Sequence, residues 1–499
     1  MWLLLFVGIF LAAQMQAVGQ TVLPGLRAPL PATPATPSVF RSGMSGTSSG
    51  GLDATDAEIV ELARSLKYDP GLMYKFVHDH IRFTPMWGQV KGPYMTWMDR
   101  SGNAFDQASL MIALLEEAAE HGTEYTITNP KFVVGEIRLS AAEAMSWLSI
   151  PNDVTVAEKV LARSGLYGTV SDAGDGTIDR VNLEHVWVKV TIDSTTYRFD
   201  PSFKSHTSVI PPQELLQVNV AMGYYQESAF LTRADSGRGG GPGYIENVNA
   251  GNIAEDMKTY SARLIESIKS YAGGADLKGV IGGTSIEPVE ESALPPSSPP
   301  YVVVSEDDEF GFAGIPDMYR TTLRIQHAGI DRTFFSSDIY GRRLTLQYNG
   351  SNQPQLVLDG TVKATGNSTT PGQAYNLTFT VNHPYNGTSF NEATTITVVS
   401  GGFYHIVNGW ADTGTAILKK HRDLLEELRY DGHSDSSEQV LGESYALIGL
   451  TWLAQVSRMR SMTAEITRST VVNHHLVGVT GQTESGGAPY FDIPLGSLG

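Results

Sequence analysis

The 499-residue chain contains no cysteine. That excludes a thiolate nucleophile, a Cys-ligated zinc and an iron–sulfur cluster, and leaves no disulfide to read. Basic residues are also scarce, 35 Lys and Arg against 53 Asp and Glu, for a formal net charge of −18. Clustered cations are what nucleic acid and anionic membranes require, so neither is expected as a partner. Only one stretch is strongly apolar, MWLLLFVGIFLAAQMQAVGQ at the start. Its length and the small residues Ala17 and Gly19 fit a signal peptide over 1–19, although the usual basic leader is missing. No later run is long enough to span a bilayer. A secreted or cell-envelope location is therefore expected. No short repeat is visible.

What is present is ample for several cores, at 41 % hydrophobic residues. Residues 20–52 are rich in Pro, then in Ser and Gly, and read as a tether. Thr55 and Glu58 form a capping-box pattern before Ile59, Leu62, Ala63 and Leu66. Asp69-Pro70 predicts the start of a second helix carrying Met73, Phe76, Val77 and His80, with His80 at the core edge. Ala104, Ala108, Met111, Ile112, Leu115 and Ala119 recur at helical spacing and predict a buried helix with Ala104 at its N-terminal end. Further capping boxes are expected at Ser140/Glu143 and Thr155/Glu158. The period then becomes two: Val186, Val188, Val190 and Ile192 alternate with His185, Trp187 and Lys189. If Asp193-Ser194 is the turn, TYRFDPSF pairs back so that Asp200 falls opposite Trp187 and diagonal to His185.

Arg233 to Gly243 reads as a flexible break. A following amphipathic helix presents Ile253, Met257, Tyr260, Leu264, Ile268 and Tyr271 on one face. A Pro-rich linker ends at Pro300. Residues 301–402 are Thr-, Val- and aromatic-rich, with Asn349-Gly350 and Asn386-Gly387 turns, and predict a β-sandwich-like module. Two helices, Thr413 to Tyr430 and Ser437 to about Arg468, predict a hairpin, followed by one or two strands.

Three pieces stand in an order suited to acyl transfer: a helix N-terminus at Ala104, the strand histidine His185 and the strand-end aspartate Asp200. A helix start favours negative charge, a histidine carries the proton, and an aspartate fixes its tautomer. The quoted stretches GNAFDQASLMIALL, EHVWVKV and YRFDPSF, with KFVVGEIRL between the first two, resemble the transglutaminase-like superfamily over about residues 52–208. Ala104 takes the place of that family's cysteine, His185 of its histidine, Trp187 of the tryptophan two residues on, and Asp200 of its aspartate. More narrowly, the chain is similar to a cysteine-lacking branch found in large secreted bacterial proteins, some with Rhs/YD repeats.

The resemblance implies an α+β fold. Its papain-like core, a helix bundle packed on an antiparallel sheet, would span 53–235. A linker with an amphipathic helix over 236–300, a β module over 301–402, and a helical hairpin with β tail over 403–499 would follow. It implies no cofactor and no metal. With alanine at the nucleophile position the expected function is non-catalytic. The former cleft, with Asn103, Gln107 and Trp187 as contacts, would bind a peptide, glycan or protein partner or serve as scaffold. The alternative is an active hydrolase or acyltransferase with another nucleophile. Ser101 and Ser109 are the nearest hydroxyls in sequence, and neither falls at the expected position. His78-Asp79-His80 and His474-His475 are too closely spaced along their elements to converge on a metal. The Glu306–Glu309 run reads as a solvated loop.

Overall fold

The computed structural model describes residues 57–492 except 123, 173, 210–226, 242–243, 272–281, 290–293, 312–314, 385–389, 411, 469, 471–474 and 483–489. The signal peptide, the tether, Thr55 of the first capping box, the Asn386-Gly387 turn and His474 lie outside the described residues. The fold is mixed α+β, with antiparallel sheets. No described helix is long and apolar enough to cross a membrane.

The chain divides into two compact units. The larger begins with α1 (Ala57–Ser65), α2 (Pro70–His80), β1 (Arg82–Phe83), α3 (Gly92–Asp99), β2 (Ser101–Gly102) and α4 (Ala104–His121). It continues through β3 (Ile127–Ser140), α5 (Ala141–Leu148), α6 (Val154–Ser164), β4 (Gly168–Ser171), β5 (Arg180–Ile192) and β6 (Thr195–Phe199). Asp69 caps α2, accepting from the Gly71 and Leu72 amides, with Pro70 supplying the fixed φ of the first turn. The buried histidine of α2 is His78, and His80 is exposed, so the expected core-edge position belongs two residues earlier. Ser140 and Glu143 form a full capping box on α5. For α6 the expected Thr155 box gives way to Asp153, whose carboxylate reaches the Val156 amide from the true N-cap.

The smaller unit comprises Thr207–Ser285 and Ser461–Arg468 among the described residues. It carries β7 (His206–Val209), α7 (Glu227–Ala234), β8 (Gly239–Gly241), β9 (Tyr244–Glu246), α8 (Ala250–Tyr271) and β10 (Gly283–Ile286). Phe230 and Ala234 of α7 pack on Ile253 and Met257 of α8, and Arg233 pairs with Glu255 and Asp256. The segment expected to be a linker around α8 is thus part of a small packed body. Within the expected break, Gly239–Gly241 pairs with β9.

The larger unit resumes with β11 (Val302–Val303), β12 (Asp308–Gly311), β13 (Thr322–His327), β14 (Ile330–Phe335) and the short α9 (Ser336–Ile339). Next come β15 (Leu344–Tyr348), β16 (Pro354–Leu358), β17 (Thr361–Thr365), β18 (Ala374–His383), β19 (Phe390–Val399) and β20 (Phe403–Gly409). Helix α10 (Thr415–Tyr430), helix α11 (Glu438–Thr467) as far as Arg460, and strands β21 (Leu476–Gln482) and β22 (Tyr490–Asp492) complete it. One sheet has the order β14-β13-β18-β19 and another β17-β16-β15-β20-β21-β22. Leu323, Ile325 and Phe379 of the first sheet share a buried core with Leu346, Leu356 and Ile406 of the second. The expected module limits of 301 and 402 move at both ends. β11 and β12 pair with β3, and β20 to β22 extend the second sheet.

β3 and β5 form the centre of the sheet that carries His185, and α4 packs across both. The face of Val186, Val188, Val190 and Ile192 is buried, as period two requires. On the opposite face His185 and Trp187 are buried as well, and Lys189 and Thr191 are half-buried. Gly135 lies opposite His185. A Cβ there would collide with the Ser305 carbonyl oxygen, so glycine is what lets the segment between β11 and β12 cross beside β3.

Candidate functional site

β5 turns into β6 through Asp193 (φ 48°) and Ser194 (φ 69°), both left-handed. This is the two-residue hairpin turn whose twist matches the strands. Val188 pairs with Phe199, which leaves Asp200 one step beyond the pairing, beside His185. The contact is direct: His185 Nε2 and Asp200 Oδ2 are 2.8 Å apart. Nδ1 has no hydrogen-bond partner among the described residues, and both contacts of the ring nitrogens are made through Nε2.

Asp200 sits in a dense set of donors. Tyr301 donates its hydroxyl to Oδ2 at 2.8 Å. Ser202 gives Oδ1 its hydroxyl at 2.6 Å and its amide at 3.0 Å, and the Phe203 amide adds a bond at 3.2 Å. Burial alone would raise the carboxyl, but the His185 ring and the Ser202 and Tyr301 hydroxyls outweigh it and hold the group below the usual carboxylate range. The same burial, reinforced by Asp200, pushes the Tyr301 phenol well above its ordinary value. Fully buried Lys204 donates to the Val77 and His78 carbonyls at the end of α2, and desolvation lowers its amine well below the usual range.

The pair is closed off: His185 is 1 % exposed and Asp200 4 %. Trp147 of α5 meets the His185 ring edge-on at 5.2 Å and donates its indole N–H to the Ser202 carbonyl at 2.9 Å. Its other neighbour is Phe83, stacked at 4.7 Å, which pairs with Gly102 just before α4. Trp147 therefore touches both the His185 ring and the strand beside the start of α4. Neither Trp147, Tyr301 nor Ser202 was singled out from the sequence. Trp147 lies on the short helix α5, and Tyr301 opens a segment expected to begin another module.

Ala104 is the first residue of α4 and is buried. Asn103 caps the helix, accepting from the Asp106 amide and donating to the Gly88 carbonyl at 2.6 Å. Gln107 donates to the Gly102 carbonyl at 2.8 Å. Trp187 is fully buried in the main core. The three side chains expected as ligand contacts thus have interior positions, two of them with their amides turned inward onto the fold. The two alternative hydroxyls are also engaged, Ser109 with the Phe105 carbonyl and Ser101 with Asp412, and the nearby Ser202 bonds Asp200. Ser202 lies 3.5 Å from the His185 nitrogen that already faces Asp200, not from the opposite one.

A second buried constellation adjoins the start of α4. The Lys91 ammonium lies 2.7 Å from Asp412 and 3.0 Å from Asp99. The Tyr340 hydroxyl donates to both carboxylates, at 3.1 Å to Asp99 and 3.3 Å to Asp412. Burial would lower Lys91, but the two carboxylates raise it, while burial raises Asp99. Asp106 Oδ1 accepts from the amides of Val90, Lys91 and Gly92, yet desolvation still lifts its carboxyl to about 6. No sequence signal marks this cluster, because Lys91 and Asp99 lie more than 300 residues from Asp412 in the chain.

Comparison with family models, with curated proteins and with solved structures finds no match to this chain.

Proposed function

We propose that this chain is a non-catalytic, transglutaminase-like protein with a papain-type core, part of a secreted multidomain bacterial protein. Its former catalytic frame serves as scaffold rather than as an open cleft. The observation that carries the reading is the His185–Asp200 bond at the hairpin end, in a chain whose catalytic-helix position is held by Ala104. A methyl group cannot attack a carbonyl, and the histidine is buried beneath Trp147. Within the reading, burial favours scaffold over a peptide- or glycan-binding cleft, since a ligand would have to displace Trp147 of α5.

The experiment is an assay of the purified protein for amide hydrolysis and for amine incorporation into glutamine peptides, with fluorophosphonate labelling alongside. The expected result is no turnover and no labelled serine. Turnover that is lost in His185→Ala would overturn the proposal and point to a hydrolase or acyltransferase using another nucleophile.

A further inference from the structure

We propose that a single water molecule is bound at the start of α4, bridging the Trp410 indole to the Asp106 carboxylate. A small cavity there, with room for about one water, has the apolar side chains of Met86 and Val90 on its wall together with Thr84, Lys91, Asp106, Trp410 and Asp412. Trp410 is fully buried, and its Nε1–H has no acceptor among the described residues. It cannot readily turn to find one. Its ring lies flat on His475 at 4.3 Å, with 3° between the planes, and meets His383 edge-on at 5.0 Å. Asp106 supplies the complement. Its Oδ1 takes three backbone amides, whereas Oδ2 receives no hydrogen bond among the described residues.

The site thus offers one fixed donor and one spare carboxylate oxygen around a space of molecular size. The occupant must both accept and donate. A cation would face the indole N–H and the Lys91 ammonium. An anion would face Asp106 and Asp412. A neutral water satisfies both ends, and the Thr84 hydroxyl, 3.5 Å from Asp412 Oδ2, offers a further partner, in line with the roughly three bonds a buried water makes. Such a water would join the residue after β20 to the first turn of α4, two places far apart in sequence. This inference does not depend on the proposed function.

The test is a crystal structure of the whole chain at a resolution where other buried waters are ordered. One peak is expected about 2.7–3.2 Å from both Trp410 Nε1 and Asp106 Oδ2. No peak in the wild-type cavity overturns the proposal, and so does a peak with the anomalous signal or coordination of an ion. Trp410→Phe keeps the ring on His475 and removes the donor. It should lose or displace the peak, and lower by one the number of long-lived waters counted by oxygen-17 relaxation. A peak unmoved in that variant overturns the indole as its donor.

Discussion

His185 and Asp200 illustrate how a buried polar pair is made tolerable. Asp200 gains four hydrogen bonds besides that of His185, so its charge is satisfied without solvent. Removing one neutral donor and removing the paired ring should differ in cost. Tyr301→Phe is expected to lose about 1.5–3 kcal/mol, and His185→Ala about 3–5 kcal/mol, because it leaves a buried carboxylate short of its main partner. Urea unfolding of the two variants checks the order, and equal losses would contradict it. Ala104→Cys tests the proposed frame from the other side. In the proposed frame, a thiol at this helix start beside His185 should ionise below the usual value of about 8.5. The pH dependence of its alkylation measures this, and an unshifted thiol would remove Ala104 from the nucleophile position.

At the level of elements, the β5–β6 hairpin and the Lys91 cluster contrast. The hairpin is local. Asp193 and Ser194 accept left-handed backbone, and this two-residue turn alone sets the register that brings Asp200 to His185. Ser194→Gly relieves a left-handed serine and should raise stability by up to about 1 kcal/mol, read as a higher melting temperature. A lower one would mean the side chain matters more than the backbone. The Lys91 cluster is non-local. It fastens α3 to the segments after α9 and β20 through one ammonium and two carboxylates. Lys91→Met should cost about 3–5 kcal/mol by leaving Asp99 and Asp412 without their cation. Adding Asp412→Asn should recover part of the loss, a coupling that a double-mutant cycle detects.

For the molecule as a whole, buried histidines set the response to acid. Desolvation lowers His383 and His405 to about 3, and His475 well below its ordinary value. An unfolded histidine titrates near 6.5, so the unfolded state binds more protons below that pH. The stability tied to these groups is full above about 6.5 and is lost as pH falls towards about 3. Asp106, raised to about 6, works the other way. Its contribution is full below about 4 and is lost as pH rises through 6. Burial lowers His78, His206 and His327 as well and raises Asp99, Glu116, Glu117 and Glu184, so six histidines stand against five carboxyls and a net loss on acidification is predicted. The urea midpoint should fall from pH 7 to pH 5, and a flat or rising midpoint would contradict this.

The sequence by itself determined the features whose causes are local. The helices at Pro70 and Ala104 follow from caps and apolar spacing, the β5–β6 register from a two-residue turn, and the absence of thiol chemistry from composition. The two C-terminal helices, expected from Thr413 and Ser437, begin at Thr415 and Glu438. Tertiary structure alone decided what surrounds the candidate residues. Trp147 reaches His185 because α5 packs on the sheet. Tyr301 reaches Asp200 because Gly135 leaves room for the chain beside β3, and Lys91 meets Asp412 across more than 300 residues. Periodicity and capping record what a residue does to its own element. Which distant side chain fills the space beyond that element is set by packing, and no local pattern encodes it.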